Sequence, residues 1–296
     1  MDPAQPQRLV TTIGLPASFV VLWSSGFVAA KLGLADADPL TLLGLRYAIV
    51  TALMAVVVAL SWAPWPASRA EALHIAVAGF FMQTVYFGAA WVSMGAGVGA
   101  AVNAIIVCTY PVLTALVAGP LLGERVSRRQ AAGFALGALG VVLVVANKLA
   151  LGLGTPAGMA WSFVSLLGIT IGTLYQKRHC PRMDPRTGGV IQFAVGAATT
   201  APLAAILEDG RIAWTAEVIG ALVYVSVVIS LVSITLLAVM IRRGAMTLVA
   251  SLFFLVPPTT ALFAWAILGE GLAPTALAGM ACAATGVALV VLPKRA

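Results

Sequence analysis

A chain of 296 residues has room for about two ordinary soluble domains. With 61% hydrophobic residues, only 9% charged and a mean hydropathy of +1.04, it has too few charges to coat a soluble surface, so the composition is that of a polytopic membrane protein. Seventeen Lys and Arg against ten Asp and Glu give a net charge of +7; without a basic run interleaved with aromatics, this excess points to an anionic membrane face rather than nucleic acid.

A hydrocarbon core of about 30 Å needs roughly 20 apolar residues per helix. Ten segments meet that length between polar or Gly/Pro punctuation: 14–34, 39–61, 72–92, 97–118, 130–147, 156–176, 187–207, 215–238, 245–267 and 273–292. The first is too long for the apolar core of a signal peptide and is expected to be retained. Connections are short, so no soluble domain is expected between spans. With the N-terminus placed in the cytoplasm, 13 Lys and Arg fall inside, three (Lys31, Lys148, Arg211) fall outside, and Arg46 lies within a span. Such a bias over short loops predicts both termini in the cytoplasm. Cys108, Cys180 and Cys282 are widely spaced with no CxxC pair, which suggests neither disulfides nor a metal site; no cofactor is expected.

The chain repeats itself at an offset of 146: Pro111 maps on Pro257, Gly123-Glu124 on Gly269-Glu270, Gly133 on Gly279, and Gly140-Val141 on Gly286-Val287. The same offset carries Gly26 to Gly172, Lys31 to Lys177 and Thr41 to Thr187. The predicted halves are 1–148 and 149–296, each with five spans. Because five is odd, the second half must lie upside down relative to the first. Inverted repeats place a binding site near the midplane and permit mirror-related inward-open and outward-open states, the logic of a transporter.

The run Leu22-Trp23-Ser24-Ser25-Gly26-Phe27, followed by Lys31-Leu32-Gly33, Pro39-Leu40-Thr41-Leu42 and Arg46-Tyr47, resembles the opening of EamA-type members of the drug/metabolite transporter superfamily. The two Pro…Leu-Gly-Glu…Gly…Gly-Val blocks, 111–141 and 257–287, resemble the ends of that family's two domains. The resemblance implies an all-α fold of ten transmembrane helices in two inverted five-helix repeats. It further implies export of amino acids, related metabolites or drugs across the bacterial inner membrane, through a cavity lined by spans one, three, four, six, eight and nine.

Every Asp and Glu falls in a tail, loop or span end, so no carboxylate is placed to relay protons mid-membrane or to cluster around a metal-bound phosphate. Facilitated movement or exchange is therefore favoured over proton coupling. Arg46 is the one charge well inside a span. It could draw a substrate carboxylate, which arginine binds with two hydrogen bonds, or it could pin the helix bundle. Its repeat mate is the uncharged Gln192. Lys31 and Lys177 are expected to snorkel to opposite interfaces.

Gln83 and Tyr86 share a helical face in span three, and Asn103 and Tyr110 share one in span four; all four are candidates for the cavity wall. Ser226, Ser230 and Ser233 share a face in span eight, where small hydroxyl residues also suit helix–helix contact. Trp23 and Phe254 join the candidate substrate-binding set, whereas Trp91, Trp161 and Trp265 read more readily as interface anchors. Pro111, Pro257 and Pro258 interrupt spans at equivalent places in the two halves and are candidate hinges. Glu124 and Glu270, symmetrically placed at turns, are candidates for gating or for tying helix ends.

The expected function is export of small amphipathic metabolites, amino acids first. Efflux of aromatic or cationic drugs is the alternative, cations being held only by aromatic faces. An intramembrane enzyme would need a convergent catalytic set, which His74 and His179 alone do not make. A scaffold or sensor would show no flux. The expected partners are a small-molecule substrate and the bilayer, with the chain a monomer or weak dimer.

Overall fold

The structure, a computed structural model, describes residues 14–121, 127–150, 154–233, 236, 253, 255–271 and 273–291. These residues are almost entirely helical; the one extended pairing among them is an isolated antiparallel bridge between Ala37 and Ile212. In chain order the helices are α1 (Leu15–Gly33), α2 (Pro39–Ser61), α3 (Arg69–Gly95), α4 (Ala100–Val107), α5 (Tyr110–Leu121) and α6 (Arg128–Ala150). They continue with α7 (Pro156–His179), α8 (Pro185–Leu207), α9 (Ala216–Val223, extended by Tyr224–Ser233), α10 (Val256–Leu268) and α11 (Pro274–Val291). Among the described residues, α1, α2, α3, α7 and α8 are long and apolar enough to cross a membrane.

Local chemistry sets the boundaries. Proline stands in the first turn of α1, α2, α7 and α8, where its missing N–H removes no helical hydrogen bond. Side-chain oxygens of Ser68, Thr155, Asp184 and Thr215 cap α3, α7, α8 and α9. Span four differs from its predicted single segment. It breaks after Val107, and Pro111 becomes the second residue of α5. Pro257 and Pro258 likewise sit in the first turn of α10. All three prolines therefore begin helices instead of kinking them from within.

Two pairs of helices related by the 146-residue offset, α2–α8 and α6–α11, pack on each other antiparallel. The Glu208 carboxylate, at the end of α8, accepts hydrogen bonds from the Leu40 and Thr41 backbone N–H groups of α2 at 2.8 and 2.7 Å. At the opposite end Thr187, the repeat mate of Thr41, donates to the Pro64 carbonyl beyond α2 at 2.8 Å. The α6–α11 pair is reciprocal to the residue. A Cβ on Gly140 would lie 2.5 Å from the Gly279 carbonyl oxygen, and one on Gly286 would lie 2.6 Å from the Gly133 carbonyl oxygen. Only glycine permits that approach, and the four glycines are two repeat-related pairs.

Two stretches depart from α-helical geometry, and the sequence carries no mark of them. Phe80–Gly88 in α3 and Tyr224–Ser233 in α9 are π-helical. Shifted by 146, the first maps onto 226–234, so the wide turns recur at equivalent positions. A π turn re-aims side chains and is common at functional sites. Gly168 of α7 lets its helix press onto the first of these stretches: a Cβ there would lie 2.6 Å from the Tyr86 amide nitrogen.

Candidate substrate cavity

Both π-helical stretches face a cavity of about 40 Å³, which has space for roughly three water molecules at ~10–15 Å³ each. Helix α1 contributes Trp23, Gly26, Phe27 and Ala30, and α9 contributes Val225 and Ile229. Helix α3 contributes Tyr86, Phe87, Ala90, Trp91 and Met94. Arg46 of α2 is the one charged residue on the wall among the described residues. Its guanidinium is 3% exposed and lies over the rings of Phe87, Trp91 and Tyr47, at 4.9, 5.8 and 5.9 Å from the ring centres. Nη2 donates to Ser230 Oγ at 3.1 Å, and Nε is buried without a hydrogen-bond partner. Among the described residues the site thus combines a buried cation and an aromatic lining, with no acid on the wall.

Trp23, Arg46 and Tyr86 come together on this wall, whereas Gln83 and Asn103 are not on it; both are buried, and their side-chain oxygens Oε1 and Oδ1 have no hydrogen-bond partner among the described residues. The Gln83 backbone carbonyl accepts from the Tyr47 hydroxyl at 2.6 Å. Asn103 Nδ2 donates to the Ala90 carbonyl at 3.2 Å and to Ser162 Oγ at 3.4 Å, while Ser162 also meets Ser93 at 2.7 Å. This fully buried polar knot joins α3, α4 and α7. Tyr110 packs edge-on against Phe253, which in turn packs edge-on against Trp23, at centroid distances of 5.8 and 5.6 Å. Phe254 and Glu124 lie outside the described residues.

Trp91 is not an interface anchor: it is 2% exposed and lines the cavity, whereas Trp161 and Trp265 are exposed on the outside of the bundle. The sequence offered Trp23 as the aromatic wall but gave no sign of Phe87, Trp91 or Phe253. Nor did it reveal that Ser230 meets Arg46 across 184 residues of sequence.

The cavity is bounded by ties at both ends of the bundle. At one end Lys31 does not snorkel outward; its Nζ donates to the Met94 carbonyl, joining α1 to α3. Beside it the Glu270 carboxylate accepts from the Ala100 N–H at 2.8 Å, capping α4 from the segment after α10. At the other end His74 Nδ1 lies 2.8 Å from the Tyr175 hydroxyl, and the His74 and His179 rings stack with centroids 4.8 Å apart. Cys180 is buried beside this cluster; burial, with the Glu71 carboxylate adding to it, pushes its thiol above the ordinary range.

Apolar membrane-length helices, equivalent helices packed antiparallel and an interior cavity at their junction define a multi-pass membrane transporter built from two repeats. The chain belongs to the EamA-like transporter family, which matches residues 12–146 and 156–292, one copy per repeat. It is 26% identical to the uncharacterized transporter YvbV of Bacillus subtilis, over 93% of this chain and 90% of that protein. It is 21% identical to the uncharacterized inner membrane transporter YedA of Escherichia coli K12, over 97% of this chain and 93% of that protein. A solved crystal structure shares the fold with a TM-score of 0.64 at 16% identity, covering 93% of this chain and 94% of that chain.

Proposed function

We propose that the protein exports small amphipathic metabolites that carry a carboxylate, amino acids first, across the bacterial inner membrane by alternating access. The observation that carries this reading is the buried Arg46 guanidinium on the cavity wall, with Nε unpartnered and no acid beside it among the described residues. A carboxylate would supply the missing charge and a second hydrogen bond, while the substrate's apolar body would lie against Trp23, Phe87 and Trp91. In this reading the halves 1–148 and 149–296 are inverted five-helix units with both termini cytoplasmic. Each half rocks about the segments led by Pro111 and by Pro257-Pro258. The ties at Lys31–Met94 and Glu270–Ala100 on one face, and at His74–Tyr175–His179 on the other, open in turn. The working unit is a monomer or weak dimer in the bilayer.

Cationic drugs are the weaker candidates because Arg46 repels them, although the aromatic wall would hold neutral aromatic solutes. Thermal stabilisation of the purified protein separates these cases. L-Phenylalanine is expected to raise the melting temperature, and phenethylamine, which has the same ring and amine without the carboxylate, is not. The reverse order would sink the carboxylate reading and move amine drugs to the front.

A further inference from the structure

Net export requires the carrier to return without cargo, and a buried guanidinium makes that step costly. An arginine held away from water needs a partner at every stage of the cycle. No acid is placed to serve: the ten Asp and Glu lie in tails, loops and span ends of the sequence, and among the described residues none is on the cavity wall. The protein instead presents one neutral oxygen. Arg46 Nη2 donates to Ser230 Oγ at 3.1 Å, and Ser230 Oγ donates its own proton to the Val225 carbonyl at 2.9 Å, five residues back in the π-helical stretch of α9. With its proton committed to Val225, the hydroxyl presents lone pairs to the guanidinium. Ser230 is 1% exposed, so the hydroxyl is held inside the bundle. The pair exists in one half only. The repeat mate of Arg46 is Gln192, bonded to Gln176, and the mate of Ser230 is Thr84, bonded to Thr199.

We propose that Ser230 is an internal counter-ligand: it holds Arg46 during the unloaded return, and a substrate carboxylate displaces it. This rests on the reading of Arg46 as the carboxylate anchor. A neutral hydroxyl has the strength the task requires. It makes one hydrogen bond where a carboxylate makes two and brings a charge, so cargo wins the competition. An acid at the same place would hold Arg46 in both directions and shut cargo out. Ser230 is thus a positioning residue whose effect falls on the unloaded half of the cycle.

The test uses the full chain in proteoliposomes with [³H]phenylalanine, comparing exchange against unlabelled phenylalanine with net efflux into phenylalanine-free buffer. Ser230→Ala is expected to lower the ratio of net efflux to exchange at least fivefold. It should also lower the KM of exchange, because the internal competitor is gone. Ser230→Thr, which keeps the hydroxyl, is expected to return the ratio toward wild type. Should the alanine variant fail to fold, Ser230→Cys is read in the same way, since a thiol is a weak acceptor of similar size. Parallel loss of both fluxes, with the ratio unchanged, overturns the role of Ser230 and leaves the Arg46 reading intact. No phenylalanine exchange by the wild type overturns the anchor reading, and this proposal with it.

Discussion

Replacing Arg46 with methionine separates the two roles that a buried arginine can have. Methionine keeps the length and apolar stem while removing the charge. Against cargo, the loss is the carboxylate pair: two charge-assisted hydrogen bonds, each worth about 1.5–3 kcal/mol net, so ~3 kcal/mol is a cautious total. At 1.4 kcal/mol per tenfold change, apparent affinity falls about 100-fold. Against stability, the variant loses the 3.1 Å bond to Ser230 and ring contacts at 4.9, 5.8 and 5.9 Å, the ring contacts being worth about 0.5–1 kcal/mol each. It also escapes a desolvation penalty of several kcal/mol, and uncharged replacements of buried ions are often neutral or stabilising. The expected outcome of Arg46→Met is therefore a melting temperature equal to or above wild type, with phenylalanine counterflow nearly abolished. A lower melting temperature, with flux reduced only in proportion to folded protein, would make Arg46 a pin of the bundle and refute the anchor.

Four further outcomes follow from the packing and the cavity lining. Gly140→Ala and Gly286→Ala should each destabilise the protein by about 1–3 kcal/mol through overpacking, read as matched drops in melting temperature; a harmless effect at either site would contradict the reciprocal α6–α11 contact. Glu270→Gln removes the charged cap from α4 and should cost about 0.5–1 kcal/mol, appearing as faster amide exchange over residues 100–103 with other helices unchanged. Asn103→Leu breaks the knot with Ala90 and Ser162 and should lower stability by about 1–3 kcal/mol without changing the KM of the protein that still folds. Trp91→Ala should raise the KM, because its ring lines the cavity.

The large-scale plan was written in the sequence because membrane insertion reads composition and repetition directly. Apolar lengths marked the membrane-length helices α1, α2, α3, α7 and α8, and Gly133, Gly140, Gly279 and Gly286, legible only as repeat marks, turn out to be the contact surface of α6 and α11. Arg46 and Trp23 were legible because a charge or a large aromatic within a span demands a reason. What could not be read depends on register across distant segments. The π-helical stretches carry no residue signature. Phe87, inside the first of them, and Trp91, just after it, both line the cavity. The same limit applies to Asn103, whose position suggested the cavity and whose Nδ2 donates to Ala90 and Ser162 while Oδ1 stays unpartnered. Ser230 looked like any small hydroxyl at a helix contact until the fold set it against Arg46.

The most direct measurement of the central claim is counterflow in proteoliposomes loaded with a pooled amino-acid panel, at matched pH and without a membrane potential. Accumulation of at least one labelled amino acid by wild-type protein, absent with Arg46→Met of equal melting temperature, is the predicted result. No accumulation of any amino acid by folded wild-type protein, or equal accumulation by the variant, would contradict a carboxylate-anchored exporter.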